Sequence, residues 1–383
     1  YRLDTALARA HQQHPFIAVW DDHESANDAY TDGAQNHTEG AEGSWTDRKA
    51  VAKQVYFEWM PIRENADESI YRTIRYGNLM DLIMLDTRLE GREEQILDVT
   101  SPELYSPERT LLGNEQKAWL FNELSTSQAK WKVIGQQVIF SQFNVGWAAL
   151  IDPSGPSFQE LESIFLDIWD GYPAERAQII DYLSTEEIDN VVVLTGDFHS
   201  TFAYDVTAEP VDLQFQEVPG VGTLPFYNPS PTYDPASGSG AVAVEFATPS
   251  ITSANFDENL DAPTAAVFQG QINNPINFPP LSLGNPNPHM KYTDLIQHGY
   301  FLVDITEAQA QAAWYFSIIS QVTNEEAFSE GCYTSENPNR LQQAGAPEAP
   351  KGVQNITAPT DPTLVINRVT AEHLNPSGRL AML

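Results

Sequence analysis

The chain has 383 residues, 42% of them hydrophobic, and carries a formal charge of −33 from 53 acidic and 20 basic side chains. That length and apolar content suit a large folded core rather than wholesale disorder, and the acidic excess excludes nucleic acid and anionic membrane surface as partners, since both would repel it. A single cysteine, Cys332, excludes an internal disulfide and a cysteine-rich zinc site and reads as an inert loop thiol; no apolar run reaches transmembrane length.

In chain order, residues 1–13 have helical character that Pro15 ends. Phe16-Ile17-Ala18-Val19-Trp20 follows as a short apolar run with the composition of a buried strand, and it runs into Asp21-Asp22-His23-Glu24. Residues 27–49 are polar and predict a surface loop, and Arg48 to Trp59 predicts a helix closed by Pro61. Two strands are expected between Tyr71 and Asp86, the second ending at Asp86-Thr87-Arg88. Asn114 to Ser125 is an amphipathic helix, and Trp131 to Ile134 a strand that ends in Gln136-Gln137. Ala174 to Leu183, after Pro173, is a helix, and Val191 to Gly196 is a strand running into Asp197-Phe198-His199.

This helix–strand alternation predicts an α/β fold. Residues 219–239 and 262–290, rich in Pro with Gly, Ser or Asn, read as long loops. Strand-like runs lie at Ala241 to Phe246, His298 to Asp304 and Ala313 to Ile319, and beyond residue 321 the sequence turns polar with no periodic element.

Two of these strands end in carboxylate and imidazole together, at Asp22/His23 and at Asp197/His199. Ligands of open α/β sheets bind beyond the carboxyl ends of the strands. Concentrated negative charge there is costly unless a cation neutralises it, so the pair predicts a metal-dependent hydrolase. Arg88, at a third strand end, is suited to hold a phosphate oxygen bidentately or to pair with Asp86. Tyr172 and Arg176 are candidates for the substrate mouth, His289 for a loop folded over the site, and Gln137 for contact with metal or phosphate.

Trp20-Asp21-Asp22-His23-Glu24 resembles the signature of the PhoD-type alkaline phosphatases, a branch of the metallophosphoesterases. Leu85-Asp86-Thr87-Arg88, Gln136-Gln137, Trp169-Asp170-Gly171-Tyr172, Leu194 to Ser200, Pro249 to Ser253 and Asn287-Pro288-His289 are similar to that family in order and spacing. The resemblance covers roughly residues 1–320 and leaves 321–383 as a polar C-terminal extension. It implies a two-sheet sandwich flanked by helices, with the family's opening strands and first metal ligands falling ahead of Tyr1. It implies Asp22, Asp197 and His199 as metal ligands and His23 beside the substrate phosphate, all within one metal-sized cluster. It also implies calcium and ferric iron as metals, small-molecule phosphate esters as substrates and a secreted or periplasmic location, and a monomer is expected. The alternatives are a phosphodiesterase or phospholipase D-like enzyme with the same metals, or a non-catalytic acidic calcium-binding surface protein.

Overall fold

The computed structural model describes residues 4–60, 62–63, 69–151, 154–320, 327–335, 341–343 and 378–382. Its first half contains helices α1 (Thr5–Gln13) and α2 (Trp45–Trp59), strands β1 (Arg72–Tyr76) and β2 (Met80–Met84), helix α3 (Gly113–Thr126) and strand β3 (Trp131–Gly135). Helices α4 (Phe158–Glu162) and α5 (Pro173–Thr185) then lead to β4 (Val191–Thr195), β5 (Thr201–Val206), β6 (Val211–Val218), β7 (Gly222–Pro229) and β8 (Ala243–Ala247). The remainder contains α6 (Phe256–Asn259), α7 (Ala262–Gln271), β9 (Ile276–Phe278), β10 (Leu281–Gly284), β11 (Met290–Asp294), β12 (His298–Ile305) and β13 (Gln309–Ser317). Last come β14 (Ala327–Ser335), β15 (Leu341–Gln343) and β16 (Gly378–Met382).

The main sheet has the strand order β1-β2-β3-β4-β8-β5-β11. Strands β2, β3, β4 and β8 run parallel, β1 and β5 run antiparallel to them, and the edge strand β11 pairs antiparallel with β5. The parallel strands are apolar on both faces because both faces are covered. Val191 and Val193 pack with Leu120 and Leu124 of α3 and with Ile179 and Leu183 of α5. Their neighbours Val192 and Leu194 point the other way, onto Phe301, Val303 and Trp314 of a five-stranded sheet ordered β15-β14-β13-β12-β16. A third sheet, β6-β7-β10-β9, completes a mixed α/β sandwich. Among the described residues no helix is long and apolar enough to cross a membrane.

Several expectations change. Phe16 to Trp20 forms no strand and joins no sheet, because side chains take carbonyls that a ladder would use. Arg72 donates to Ala18 O at 2.8 Å and Gln137 to Trp20 O at 2.8 Å. Helix α2 starts at Trp45, earlier than expected, because Ser44 caps it by accepting from Asp47 N; Pro61 lies outside the described residues. The stretch read as loop at 219–239 contains the whole of β7, paired with β6 from Val211↔Pro229 to Val218↔Gly222. The stretch at 262–290 contains α7, capped by Asp261, and the β9–β10 pair. Beyond residue 320, β14 pairs with β13 and β16 with β12, so the polar C-terminal stretch contributes strands to the second sheet. Cys332 is fully buried on β14 rather than in a loop.

Candidate metal centre

The site gathers at the carboxyl ends of β2, β3 and β4. Gln137, just past β3, crosses the gap between them. Its Oε1 accepts from Thr87 N at 3.1 Å and Thr87 Oγ1 at 2.6 Å, while its Nε2 donates to Trp20 O and Leu85 O. The Trp20–Glu24 segment is therefore tied to the sheet by a side chain, which brings its carboxylates to the end of β4.

Asp21, Asp22 and Asp197 each offer a carboxylate oxygen, and these oxygens lie within 4.8 Å of one another. Asp22 is only 4% exposed, and its two oxygens accept from His23 N at 2.6 Å and Asp28 N at 2.8 Å. Burial pushes the Asp197 carboxyl well above the usual range, Asp21 adds to this, and Arg88 partly opposes it. Arg88 is completely buried and divides its guanidinium among three carboxylates: Asp21 at 2.6 Å, Asp167 at 2.6 Å and Asp197 at 2.9 Å. Burial disfavours its charge, but Asp167, Asp21 and Asp197 outweigh that and hold it firmly protonated. Asp86 caps this turn by accepting from the backbone N–H groups of Arg88 and Leu89, both at 2.9 Å, and does not pair with the guanidinium.

Asp197 and His199 both have left-handed backbones, φ 63° and 64°. Non-glycine residues adopt this conformation at a cost that surrounding structure must impose. Phe198 between them supplies the anchor, its ring packed with those of Phe143, Phe165, Phe202 and Phe256. His199 Nδ1 lies 2.8 Å from Ala254 O, which makes Nδ1 the donor and leaves Nε2 as the nitrogen able to bind a metal or phosphate. His23 is a rim residue, its side chain 77% exposed and its Nε2 3.9 Å from Asp22 Oδ2.

The expected four-residue cluster is thus modified. Asp22 and Asp197 do come together, but Asp21 completes the group, and neither His23 nor His199 contributes a ligand atom to it. Three converging carboxylates at least partly shielded from water suit a hard cation, and burial first, then the charge of Asp21, raises the Asp197 carboxyl among them. Around them stand residues that the sequence reading missed. Asp167 is opposed by burial but held down at about 2 by Arg88 and Arg92, and it also accepts from Gln95. Asp28 is pushed up to about 6 by burial and then by Asp167. Asp21 stood inside a recognised motif, but Asp167 follows no strand and carried no signal.

Three other candidates lie in the core: Tyr172 and Arg176 rather than at a substrate mouth, and His289 rather than in a loop folded over the site. Tyr172 is fully buried and donates to Glu93 O, with Arg92 and Arg109 over its ring. Arg176 is buried and pairs with Asp170. His289 is fully buried, bonds Gln142 O through Nε2 at 2.8 Å, and is held down at about 3 by burial. Each is enclosed by its own packing, which places it where a substrate does not reach. Gln137 is buried as well, with its amide committed to Trp20, Leu85 and Thr87.

Residues 1–314 match the family model of the PhoD-like phosphatases. The chain is 38% identical over 211 residues to alkaline phosphatase D of Bacillus subtilis (strain 168), an alignment covering 53% of this chain and 34% of that protein. A solved structure titled "Structure of PhoD" superposes with a TM-score of 0.66 at 28% identity, over 92% of this chain and 59% of the other. The chain therefore spans about a third of the curated relative and about three fifths of the solved one. With the family model matched along most of its length, the chain belongs to the PhoD-like phosphatase family.

Proposed function

We propose that this chain forms the metal-binding part of a phosphoester hydrolase. The observation that carries the reading is the convergence of Asp21, Asp22 and Asp197, from segments far apart in sequence, at the ends of parallel strands. The family membership and the likeness to alkaline phosphatase D support the same chemistry. Bound there, a cation would polarise a phosphoryl oxygen and lower the pKa of water. Calcium and ferric iron are the proposed metals, because an all-carboxylate group favours hard ions.

Asp22, Asp197 and, through Nε2, His199 are the proposed ligands, with Asp21 beside the two carboxylates. Arg88 positions Asp21 and Asp197; with its Nε, Nη1 and Nη2 all bonded to carboxylates, it is poorly placed to clamp a phosphate as well. His23, exposed beside Asp22, is the group able to meet a leaving alkoxide and give it a proton. The proposed substrates are small phosphate esters, and the proposed location is outside the cytoplasm.

The test is p-nitrophenyl phosphate turnover by the full-length protein, with and without chelation, alongside Asp197→Ala and His23→Ala. Loss of turnover on chelation and in both variants is expected. Turnover that survives chelation and both substitutions sinks the reading.

A further inference from the structure

A second constellation lies behind the site. Ser250 Oγ is 3.0 Å from His298 Nδ1, and His298 Nε2 is 3.1 Å and 3.2 Å from the two carboxylate oxygens of Glu258. The single Ser250 hydroxyl proton is directed to Ser253 O at 2.5 Å. Nε2 faces a carboxylate that can only accept, so it is the donor, and Nδ1 is the nitrogen turned to Ser250 Oγ. This order differs from that of a nucleophilic triad, because the serine proton is held by a backbone carbonyl rather than shared with a base.

What the array braces is the loop from Pro249 to Asn255. That loop grips His199 at two points and its neighbour Ser200 at a third. Ser250 N donates to His199 O at 3.0 Å, Ala254 O faces His199 Nδ1 at 2.8 Å, and Asn255 Oδ1 accepts from Ser200 Oγ at 2.5 Å. From behind, Gly299 N donates to Ser250 O at 2.9 Å, and Asn255 N donates to Glu258 at 2.6 Å. His298 is 5% exposed, so the brace is built into the fold.

We infer that Ser250, His298 and Glu258 are positioning residues that hold the loop whose Ala254 carbonyl fixes the ring of His199, keeping Nε2 presented to the metal centre. Partners of this kind orient a histidine ligand and select its tautomer, and their loss typically costs about 10–100-fold in metal affinity or activity. The inference rests on the proposed role of His199.

The experiment compares Ser250→Ala, Ser250→Thr, His298→Ala, Glu258→Gln and His199→Ala in the full-length protein. Calcium and iron retained after exhaustive dialysis, kcat and KM for p-nitrophenyl phosphate, and thermal unfolding are measured for each. Expected is a roughly 10–100-fold loss in metal retention and kcat for Ser250→Ala and His298→Ala, with KM little changed. Ser250→Thr, which keeps the hydroxyl, should restore both. Glu258→Gln, a change at a half-exposed side chain, covers the case in which His298→Ala does not fold and should show the same loss in milder form. Wild-type metal retention and kcat in Ser250→Ala and Glu258→Gln, with both lost in His199→Ala, would overturn the inference and leave the metallohydrolase reading intact. Full metal retention and activity in His199→Ala would overturn the role of His199 and this inference with it.

Discussion

Arg88 Nη2 stands 2.9 Å from Asp197 Oδ1, and the two residues are 109 positions apart in sequence. This contact joins the end of β2 to the end of β4, and the same guanidinium reaches Asp21 and Asp167. A fully buried cation thus holds together carboxylates that would otherwise repel one another. Its removal leaves several of them shielded from water and unpaired, at a cost of about 3–5 kcal/mol.

Arg88→Met is therefore expected to unfold at far lower denaturant concentration than the wild type. Arg88→Lys retains the charge but not the three-way fork. It should fold with a smaller loss and still lower kcat at least roughly tenfold, because Asp21 and Asp197 are no longer held in place. Chemical denaturation and steady-state kinetics on both variants check this. Wild-type kcat in Arg88→Lys would contradict the positioning role.

The proposed ligand role of Asp197 sets stability against function. Its carboxylate is crowded by Asp21 and Asp22 in a poorly hydrated place. Asp197→Asn removes that repulsion and keeps an oxygen for Arg88. In chelator it should unfold at an equal or higher temperature than the wild type, while binding metal at least about tenfold more weakly. Calorimetry with and without added metal separates the two effects.

Gln137 makes four hydrogen bonds across the site while buried. Gln137→Leu has nearly the same volume and none of the polar atoms, leaving Trp20 O and Thr87 N without these partners. A destabilisation of about 2–4 kcal/mol is expected, together with a fall in kcat. Denaturation midpoints and turnover of this variant measure both.

His289 predicts a pH dependence of stability. Burial holds its folded-state value at about 3, below the ordinary value of 6.5, and its Nδ1 is buried without a hydrogen-bond partner. Between those values the unfolded chain binds a proton that the folded one does not, so stability rises with pH across this window. Its contribution is present above 6.5 and is lost as pH falls toward 3, by an amount on the order of 5 kcal/mol. His289→Gln, which keeps a donor for Gln142 O, should flatten the unfolding free energy between pH 6 and about 4 relative to the wild type. An unchanged slope would contradict the buried, neutral assignment.

The parallel core was readable because β2, β3 and β4 are buried almost throughout and therefore spell largely apolar runs, interrupted by Asp81 in β2 and Lys132 in β3. Phe16 to Trp20 has the same spelling, yet its carbonyls are taken by Arg72 and Gln137, and composition does not reveal which partner a backbone group finds. The β7 strand hid behind Pro225 and Pro229. Strand β10 meets β7 only at Tyr227, so neither proline costs a ladder bond on that side. At the site, Asp22 and Asp197 were legible because each follows an apolar run directly. Asp167 was not, since its value to the site comes from Arg88 and Arg92 folding onto it. Tyr172, Arg176 and His289 were polar residues in recognisable motifs, and their burial in pairings of their own appears only in three dimensions.

The central claim is that Asp22 and Asp197 hold a metal. Anomalous diffraction from crystals of the protein grown with iron and calcium tests it most directly. The account predicts an anomalous peak about 2.0–2.6 Å from carboxylate oxygens of both residues, absent in Asp197→Ala. Ordered metal elsewhere in the molecule, with the Asp21–Asp22–Asp197 group empty, would contradict it.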